Sequence, residues 1–212
     1  ISHRKGLFLL FKLLECASIS ILTSVLMLTL PLQASWACQD VDTTASTQGD
    51  NDDFLYRYNC KPGQINEVGS LLFGSREESI KDILTSPQDF EPETLLSVGL
   101  LFLGLMLVTF GTSIPAGMFM PTVLSGASLG GYAGLIFQRN FISSVHPSDF
   151  ALIGAAAFLA GMQRNTVSLC VILMEGTGQT KALIPVIITV ICARTVGDLF
   201  SEGVYEIGME LK

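Results

Sequence analysis

The chain has 212 residues, of which 49% are hydrophobic and only 15% charged, and its formal net charge is −7. Soluble domains carry about a quarter charged residues, so this composition and the long uncharged runs exclude an ordinary soluble domain and favour an integral membrane protein. The acidic balance also argues against a nucleic-acid partner.

The first apolar run covers residues 16–39 and is long enough to cross a bilayer. It is too long, and starts too late, to be a plain signal peptide. Since the chain begins at Ile1 rather than at methionine, we expect a fragment of a longer protein. The positive-inside rule places the preceding end in the cytosol. Four basic residues lie there: His3, Arg4, Lys5 and Lys12.

Most of the acidic residues lie between Asp40 and Glu93, which predicts an acidic loop outside the cytosol over about residues 34–93. The stretch "DVDTTASTQGDNDD" is typical of a flexible, solvated segment, whereas "NEVGSLLFGSREESIKDILTS" predicts two short amphipathic helices. Cys38 and Cys60 flank the first of these stretches. They form either a disulfide in an oxidising compartment or two unrelated thiols.

Residues 94–138 contain no charged side chain and are about twice as long as one membrane span. This predicts a second span over residues 94–110 and a third over residues 117–138. The third contains "SGASLGGYAG", whose small residues suit close contact with another helix. The break between the two spans falls in "GTSIPAGMFMP", where Gly117 and Pro121 favour the start of a new helix.

A helix start at membrane depth would provide backbone N–H groups and a partial positive charge, which together favour an anion. Gly117 would leave room for the ion to approach. Two alternatives remain open for this stretch. It could be a simple proline kink, or Thr112 and Ser113 could cap the helix locally.

The later uncharged runs are short and cover residues 150–163, 165–174 and 182–193. They predict half-length helices packed inside protein rather than further spans. Arg164 and Glu175 lie at the ends of the first two runs, and we expect them to cap helices or to pair between helices. Arg194 and Asp198 have the spacing of a structural ion pair on one helix face.

The motif "GMFMP" resembles the GxFxP motif of the chloride channel (CLC) family of anion channels and anion/proton exchangers. The resemblance extends upstream to "LLECASISILTSVLMLTLPL" and "YNCKPGQINEVGSLLF", and downstream to "FALIGAAAFLAGMQRNTVSLCVILMEGTG" and "GVYEIGMELK". It therefore covers nearly the whole chain in order, and residues 1–212 look like the C-terminal half of that family's membrane domain.

The resemblance implies an all-α, polytopic fold with tilted, re-entrant and half-length helices. It implies transport of chloride, nitrate or a similar small anion through a homodimer, either passively or in exchange for protons. Gly117 and Pro121 belong to the anion motif, the N–H groups of Met118 and Phe119 would face the ion, and the Tyr205 hydroxyl would reach it. Chloride would be a bound substrate, and we expect no cofactor, metal site or catalytic residue set, hence no enzyme.

Three features depart from the family pattern. Ser113 is not assigned to the family's separate serine motif, because it lies on the normal flank of "GMFMP". The family's GxEGP motif with its gating glutamate does not occur, and we expect it upstream of this sequence. Gly176 in "MEGTG" replaces a large apolar residue on a helix that the family uses for dimer contact. A non-transporting membrane scaffold, or a fragment inactive on its own, is the alternative, and the particular membrane is not specified.

Overall fold

The computed structural model describes residues 2–34, 37–40, 60–61, 64–110, 117–140, 146–164, 167–177, 182–200 and 203. These residues form eight α-helices, one 3-10 turn and a two-stranded antiparallel sheet. The elements are α1 (Ser2–Gln33), β1 (Cys38–Asp40), β2 (Gln64–Asn66), α2 (Glu67–Phe73), α3 (Arg76–Thr85), the 3-10 turn (Pro87–Asp89), α4 (Pro92–Thr109), α5 (Phe119–Asn140), α6 (Pro147–Gln163), α7 (Val167–Thr177) and α8 (Leu183–Phe200).

Four of the described helices, α1, α4, α5 and α8, are long and apolar enough to cross a membrane. The second and third predicted spans correspond to α4 and α5, whose ends lie within two residues of the predicted ones. The first helix starts much earlier than predicted, at Ser2, and ends at Gln33. Because its side chains from Leu10 onward lie mostly at the surface, α1 presents an apolar face around most of its circumference.

The last span was not predicted from the sequence. Arg194 was taken to end a short buried run over residues 182–193, but α8 continues through Arg194 and Asp198 to Phe200. Most of its large apolar side chains are exposed, Ile184 at 70% and Leu199 at 80% among them. The prediction of a half-length helix buried inside protein is therefore wrong for α8. The ion pairs described below explain how a helix this apolar accommodates two charges.

The chain divides into two compact units. The first comprises Ile1–Gly74 and Leu103–Met118, and it contains α1, the β1–β2 hairpin and α2. In the hairpin, Cys38 lies opposite Asn66, and a disulfide joins Cys38 to Cys60. The Asn66 side chain accepts a hydrogen bond from the Gly69 N–H at the start of α2 and donates one to the Pro31 carbonyl.

The α2 helix departs from the picture of a solvated loop after residue 40. Its residues from Glu67 to Leu72 are all buried, with Val68 and Leu71 fully so. The two helices expected in this stretch are present as α2 and α3. Only α3 shows the expected amphipathic character, with Ile83 and Leu84 buried and Glu77 and Glu78 in its first turn. The stretch predicted to be flexible lies mostly outside the described residues.

The second unit comprises Ser75–Phe102 and Phe119–Lys212 and is built around the pair α5 and α6. These helices approach so closely that a Cβ placed on Gly130 would collide with the Phe150 carbonyl oxygen, and one on Gly126 would lie 2.7 Å from the Gly154 oxygen. Only glycine permits such an approach, which confirms the small-residue face predicted for α5. The α8 helix packs against α6.

Candidate functional site

The uncharged central segment breaks into two helices. The α4 helix ends at Thr109, whose hydroxyl donates to the Leu105 carbonyl at 2.9 Å and to the Met106 carbonyl at 3.1 Å. The Phe110 N–H also bonds to the Met106 carbonyl at 2.9 Å. These bonds belong to the last turn of α4. Because Gly117 and Met118 lie in no regular structure before α5, the described residues do not form one continuous kinked helix. The simple proline kink is therefore wrong.

A new helix, α5, starts at Phe119, between Gly117 and Pro121, the two residues that favoured a helix start in the sequence. Gly117 and Met118 precede it in no regular structure. Pro121 occupies the first turn, where an N–H would have no carbonyl to bond within the helix, so the missing proline N–H costs nothing. The start of α5 thus has the local chemistry that the sequence predicted.

Open space surrounds Gly117. A Cβ placed on this residue meets no atom of the described chain within 4 Å, and its main-chain angles do not require glycine. Gly117 itself is exposed, while Met118 and Phe119 are half-buried. A side chain's first carbon at this position would therefore touch none of the described residues.

The position of α5 depends on its contact with α6. Three buried hydroxyl-bearing residues, Thr122, Ser125 and Ser128, follow the helix start. Ser125 donates to the Thr122 carbonyl at 3.2 Å, and Ser128 donates to the Leu124 carbonyl at 2.8 Å. Because these two hydroxyls bond within their own helix, the close glycine contact with α6 needs no further polar partner there.

A cluster of charges joins α6 to α8. Arg164, the residue after α6, donates from Nη2 to the Gly197 carbonyl at 3.0 Å, and its Nη1 lies 2.9 Å from Asp198 Oδ1. Arg194 approaches the other oxygen of Asp198 at 3.7 Å. Arg164 was expected to cap a helix or to pair between helices, and it does both, since it is the C-cap of α6 and pairs with Asp198 of α8. The predicted Arg194–Asp198 pair is also confirmed. That Asp198 is the partner of Arg164 was not predicted, although opposite charges in neighbouring apolar runs are a signal of such a pair.

Several predicted residues lie outside the described part of the chain. They include Tyr205, which was expected to reach the anion, and Thr112 and Ser113, which were the competing caps. Gly117, Met118, Phe119 and Pro121 are described and lie together at the start of α5. Cys38 and Cys60, whose pairing the sequence left open, are joined with their Cα atoms 5.8 Å apart.

Comparison with known proteins relates this chain to chloride channels. The family model described as "Voltage gated chloride channel" matches residues 3–198. Chloride channel protein CLC-d of Arabidopsis thaliana is 31% identical over 99% of this chain and 27% of its own length. H(+)/Cl(-) exchange transporter 7 of Mus musculus is 32% identical over 78% of this chain and 21% of its own length.

The same likeness appears at the level of the fold. A solved structure titled as the crystal structure of a eukaryotic CLC transporter is 34% identical, with a TM-score of 0.54, over 61% of this chain and 23% of that one. The all-α, multi-span membrane fold is therefore confirmed, with the small β1–β2 hairpin as an addition that the sequence did not predict. The chain is an integral membrane protein and spans about a quarter of the length of these relatives.

Proposed function

Because the chain belongs to the voltage gated chloride channel family, we propose that it forms part of a membrane pathway for chloride or a similar small anion. Residues 1–212 would supply the C-terminal half of the membrane domain, and the rest of the pathway would come from the other half of the same fold. The protein would work as a homodimer, either as a channel or in exchange for protons, since its relatives carry both kinds of name.

The observation that carries this proposal is the start of α5 at Phe119, inside a segment without charged side chains. The first turn of a helix has N–H groups without carbonyl partners in the helix, and the helix dipole adds a partial positive charge there. An anion beside Met118 and Phe119 would accept those N–H groups in place of its hydration shell.

Main-chain amides suit a transported ion better than a buried lysine or arginine would. A full positive charge in a low-dielectric site would hold the ion too firmly for release, whereas amide dipoles compensate its lost water without trapping it. Gly117 keeps the approach open, and Pro121 fixes the first turn without adding a donor. The side chain of Met118 would matter little, because the contact is made by the backbone.

Tyr205 would provide the side-chain donor of the same site. A hydrogen bond to a charged partner contributes about 1.5–3 kcal/mol, and water can replace part of it. We therefore expect Tyr205→Phe to weaken chloride binding in calorimetry and to leave the melting temperature of the protein unchanged. Unaltered affinity in both Tyr205→Phe and Tyr205→Ala would remove Tyr205 from the site.

The pair Gly117→Val and Gly104→Val tests the helix start. A Cβ on either glycine meets no described atom within 4 Å, so the two positions are matched in local space. Only the valine at 117 lies where the anion would approach. We expect anomalous density for bromide beside the amides of Met118 and Phe119 in the unmodified protein and in Gly104→Val, and its loss in Gly117→Val.

Two results would contradict the proposal. One is the absence of bromide density beside these amides in the unmodified protein at a concentration that supports transport. The other is equal bromide occupancy in Gly117→Val and in the Gly104→Val control. The proposal also assigns the anion as transported substrate, with no cofactor and no catalytic step. A scaffold that does not transport would bind no halide at this position.

A further inference from the structure

The α5 and α6 helices run antiparallel in close contact. A Cβ placed on Gly126 would lie 2.9 Å from the Cβ of Phe158, and one placed on Gly134 would lie 2.8 Å from the Cβ of Phe150. Moving eight residues forward along α5 therefore moves the contact eight residues back along α6. The start of α5 and the end of α6 consequently lie at the same end of the helix pair.

This register places a largely buried positive charge level with the start of α5. Extended from Gly126 by about two turns, it brings Phe119 opposite the last turn of α6, which ends at Gln163. Arg164 is the next residue, and its side chain is only 12% exposed. Phe119 and Arg164 belong to the same compact unit, so their placement does not depend on how the two units are arranged.

Asp198 of α8 offsets this positive charge. Its Oδ1 atom lies 2.9 Å from the Nη1 atom of Arg164, while the Nη2 atom of Arg164 donates to the Gly197 carbonyl at 3.0 Å. Arg194 approaches the other Asp198 oxygen at 3.7 Å and is about half exposed, so water and salt screen its charge. The start of α5 is therefore level with a neutralised ion pair rather than with a lone cation.

We propose that Arg164 and Asp198 together determine how firmly the anion is held at the start of α5. Arg164 attracts the ion, and Asp198 limits that attraction so that the ion can leave again. Both residues act through their electric field and neither contacts the ion. This inference rests on the proposed function, because it concerns the same anion.

The distance between the helices determines the size of the effect. Helices in contact have axes about 8–10 Å apart, so the charge of Arg164 lies on the order of 10 Å from an ion at the start of α5. At an effective dielectric constant of about 20, a unit charge at that distance changes a binding constant by about tenfold. Asp198 lies on a further helix and is 48% exposed, so we expect about threefold from its charge.

Single substitutions should shift chloride affinity in opposite directions. In calorimetry of the intact protein, we expect Arg164→Gln to weaken chloride binding about tenfold and Asp198→Asn to strengthen it about threefold. Both substitutions break the same ion pair, so a purely structural role would weaken binding in both. The double variant should bind about threefold more tightly than Arg164→Gln alone, because the uncompensated negative charge of Asp198 is gone.

Two further variants serve as controls. Arg164→Lys keeps the positive charge but loses the forked geometry of the guanidinium, so it should bind chloride within about twofold of the unmodified protein. Arg139→Gln removes an exposed positive charge in the last turn of α5, about 30 Å from Phe119, and should leave chloride binding unchanged. Circular dichroism of each variant at the assay temperature verifies that it is folded.

Bromide density beside the first amides of α5 reports the proposed function separately. If the unmodified protein holds bromide there, weaker or unchanged chloride binding in Asp198→Asn would overturn this inference and leave the proposed function standing. The same holds if Arg164→Lys binds as weakly as Arg164→Gln, since geometry rather than charge would then matter. If Arg164→Gln does not fold, the direction of the change in Asp198→Asn decides alone. Absence of bromide in the unmodified protein would overturn both.

Discussion

Replacing Asp198 by asparagine should reveal how much the charge cluster between α6 and α8 stabilises the protein. Asp198 lies 2.9 Å from the Nη1 atom of Arg164 and 3.7 Å from the Nε atom of Arg194. The Arg164 side chain is only 12% exposed, whereas Asp198 and Arg194 are about half exposed. The two contacts of Asp198 should therefore differ in strength.

The shorter contact, between Asp198 and Arg164, determines most of the stability that we expect Asp198→Asn to lose. A charged hydrogen bond contributes about 1.5–3 kcal/mol, and removing one partner of a fully buried pair costs about 3–5 kcal/mol. Asp198 is about half exposed rather than buried, so we expect Asp198→Asn to lower the free energy of unfolding by about 1–3 kcal/mol. Arg194→Gln removes only the longer, half-exposed contact and should cost no more than about 0.5 kcal/mol.

Two substitutions of Arg164 distinguish the contribution of its side chain to stability from that of its backbone conformation. It ends α6 with φ at 55°, in the left-handed region that side-chain-bearing residues adopt at a cost of about 1–2 kcal/mol. Arg164→Ala loses the ion pair and keeps the strain, whereas Arg164→Gly loses the pair and relieves the strain. The glycine variant should therefore be the more stable of the two by about 1 kcal/mol.

Titration of the purified variants with denaturing detergent, followed by loss of the helical circular dichroism signal, measures these differences. The expected order of stability is unmodified protein, Arg194→Gln, then Asp198→Asn. Equal loss in Asp198→Asn and Arg194→Gln would refute the claim that the Arg164 contact dominates. An alanine variant at 164 as stable as the glycine variant would refute the backbone argument.

Three further predictions concern other parts of the chain. The cysteines of the Cys38–Cys60 disulfide are 22 residues apart, so reducing it should destabilise the first unit by about 3 kcal/mol on the chain-entropy model. A non-reducing peptide map that recovers both cysteines as free thiols would reject the bridge. Burial, followed by the negative charge of Glu78, raises the pKa of the Asp82 carboxyl in the folded protein. The stability that Asp82 contributes is therefore fully present at a pH below its unfolded pKa, and it is lost as the pH rises through its folded pKa. Asp82→Asn should accordingly stabilise the protein at neutral pH by no more than about 1 kcal/mol, and an equal gain at a pH below the unfolded pKa of Asp82 would contradict this cause. Gly130→Ala should separate α5 from α6 and cost about 1–3 kcal/mol in the same detergent titration, whereas Gly104→Ala, with open space around it, should cost nothing.

The central helices were predictable because their signals are local. Absence of charge over residues 94–138 defined two spans, and Gly117 and Pro121 marked where the second begins. The close contact of α5 with α6 was also foreseeable, since glycines four residues apart leave a flat helix face. The start of α5 could therefore be located within two residues from the sequence alone.

Features that depend on distant partners were not predictable in the same way. Charges in an apolar run indicate its end only when they have no partner, and Arg164 follows α6 whereas its partner Asp198 lies in α8. The buried state of α2 depends on its surroundings, and not on its own seven residues. The strands β1 and β2 have three residues each, too few for a periodic pattern.

The two hydrogen bonds of the Asn66 side chain limit which amino acids position 66 can accept. Its side chain is 1% exposed, and it uses its oxygen to cap α2 and its nitrogen to reach the Pro31 carbonyl, 35 residues away, near the end of α1. Aspartate could cap but has no donor when ionised, serine could cap but is shorter, and leucine could do neither. In a saturation mutagenesis screen read out by surviving folded protein, position 66 should therefore accept almost no other amino acid, although it lies far from any predicted anion contact in the sequence.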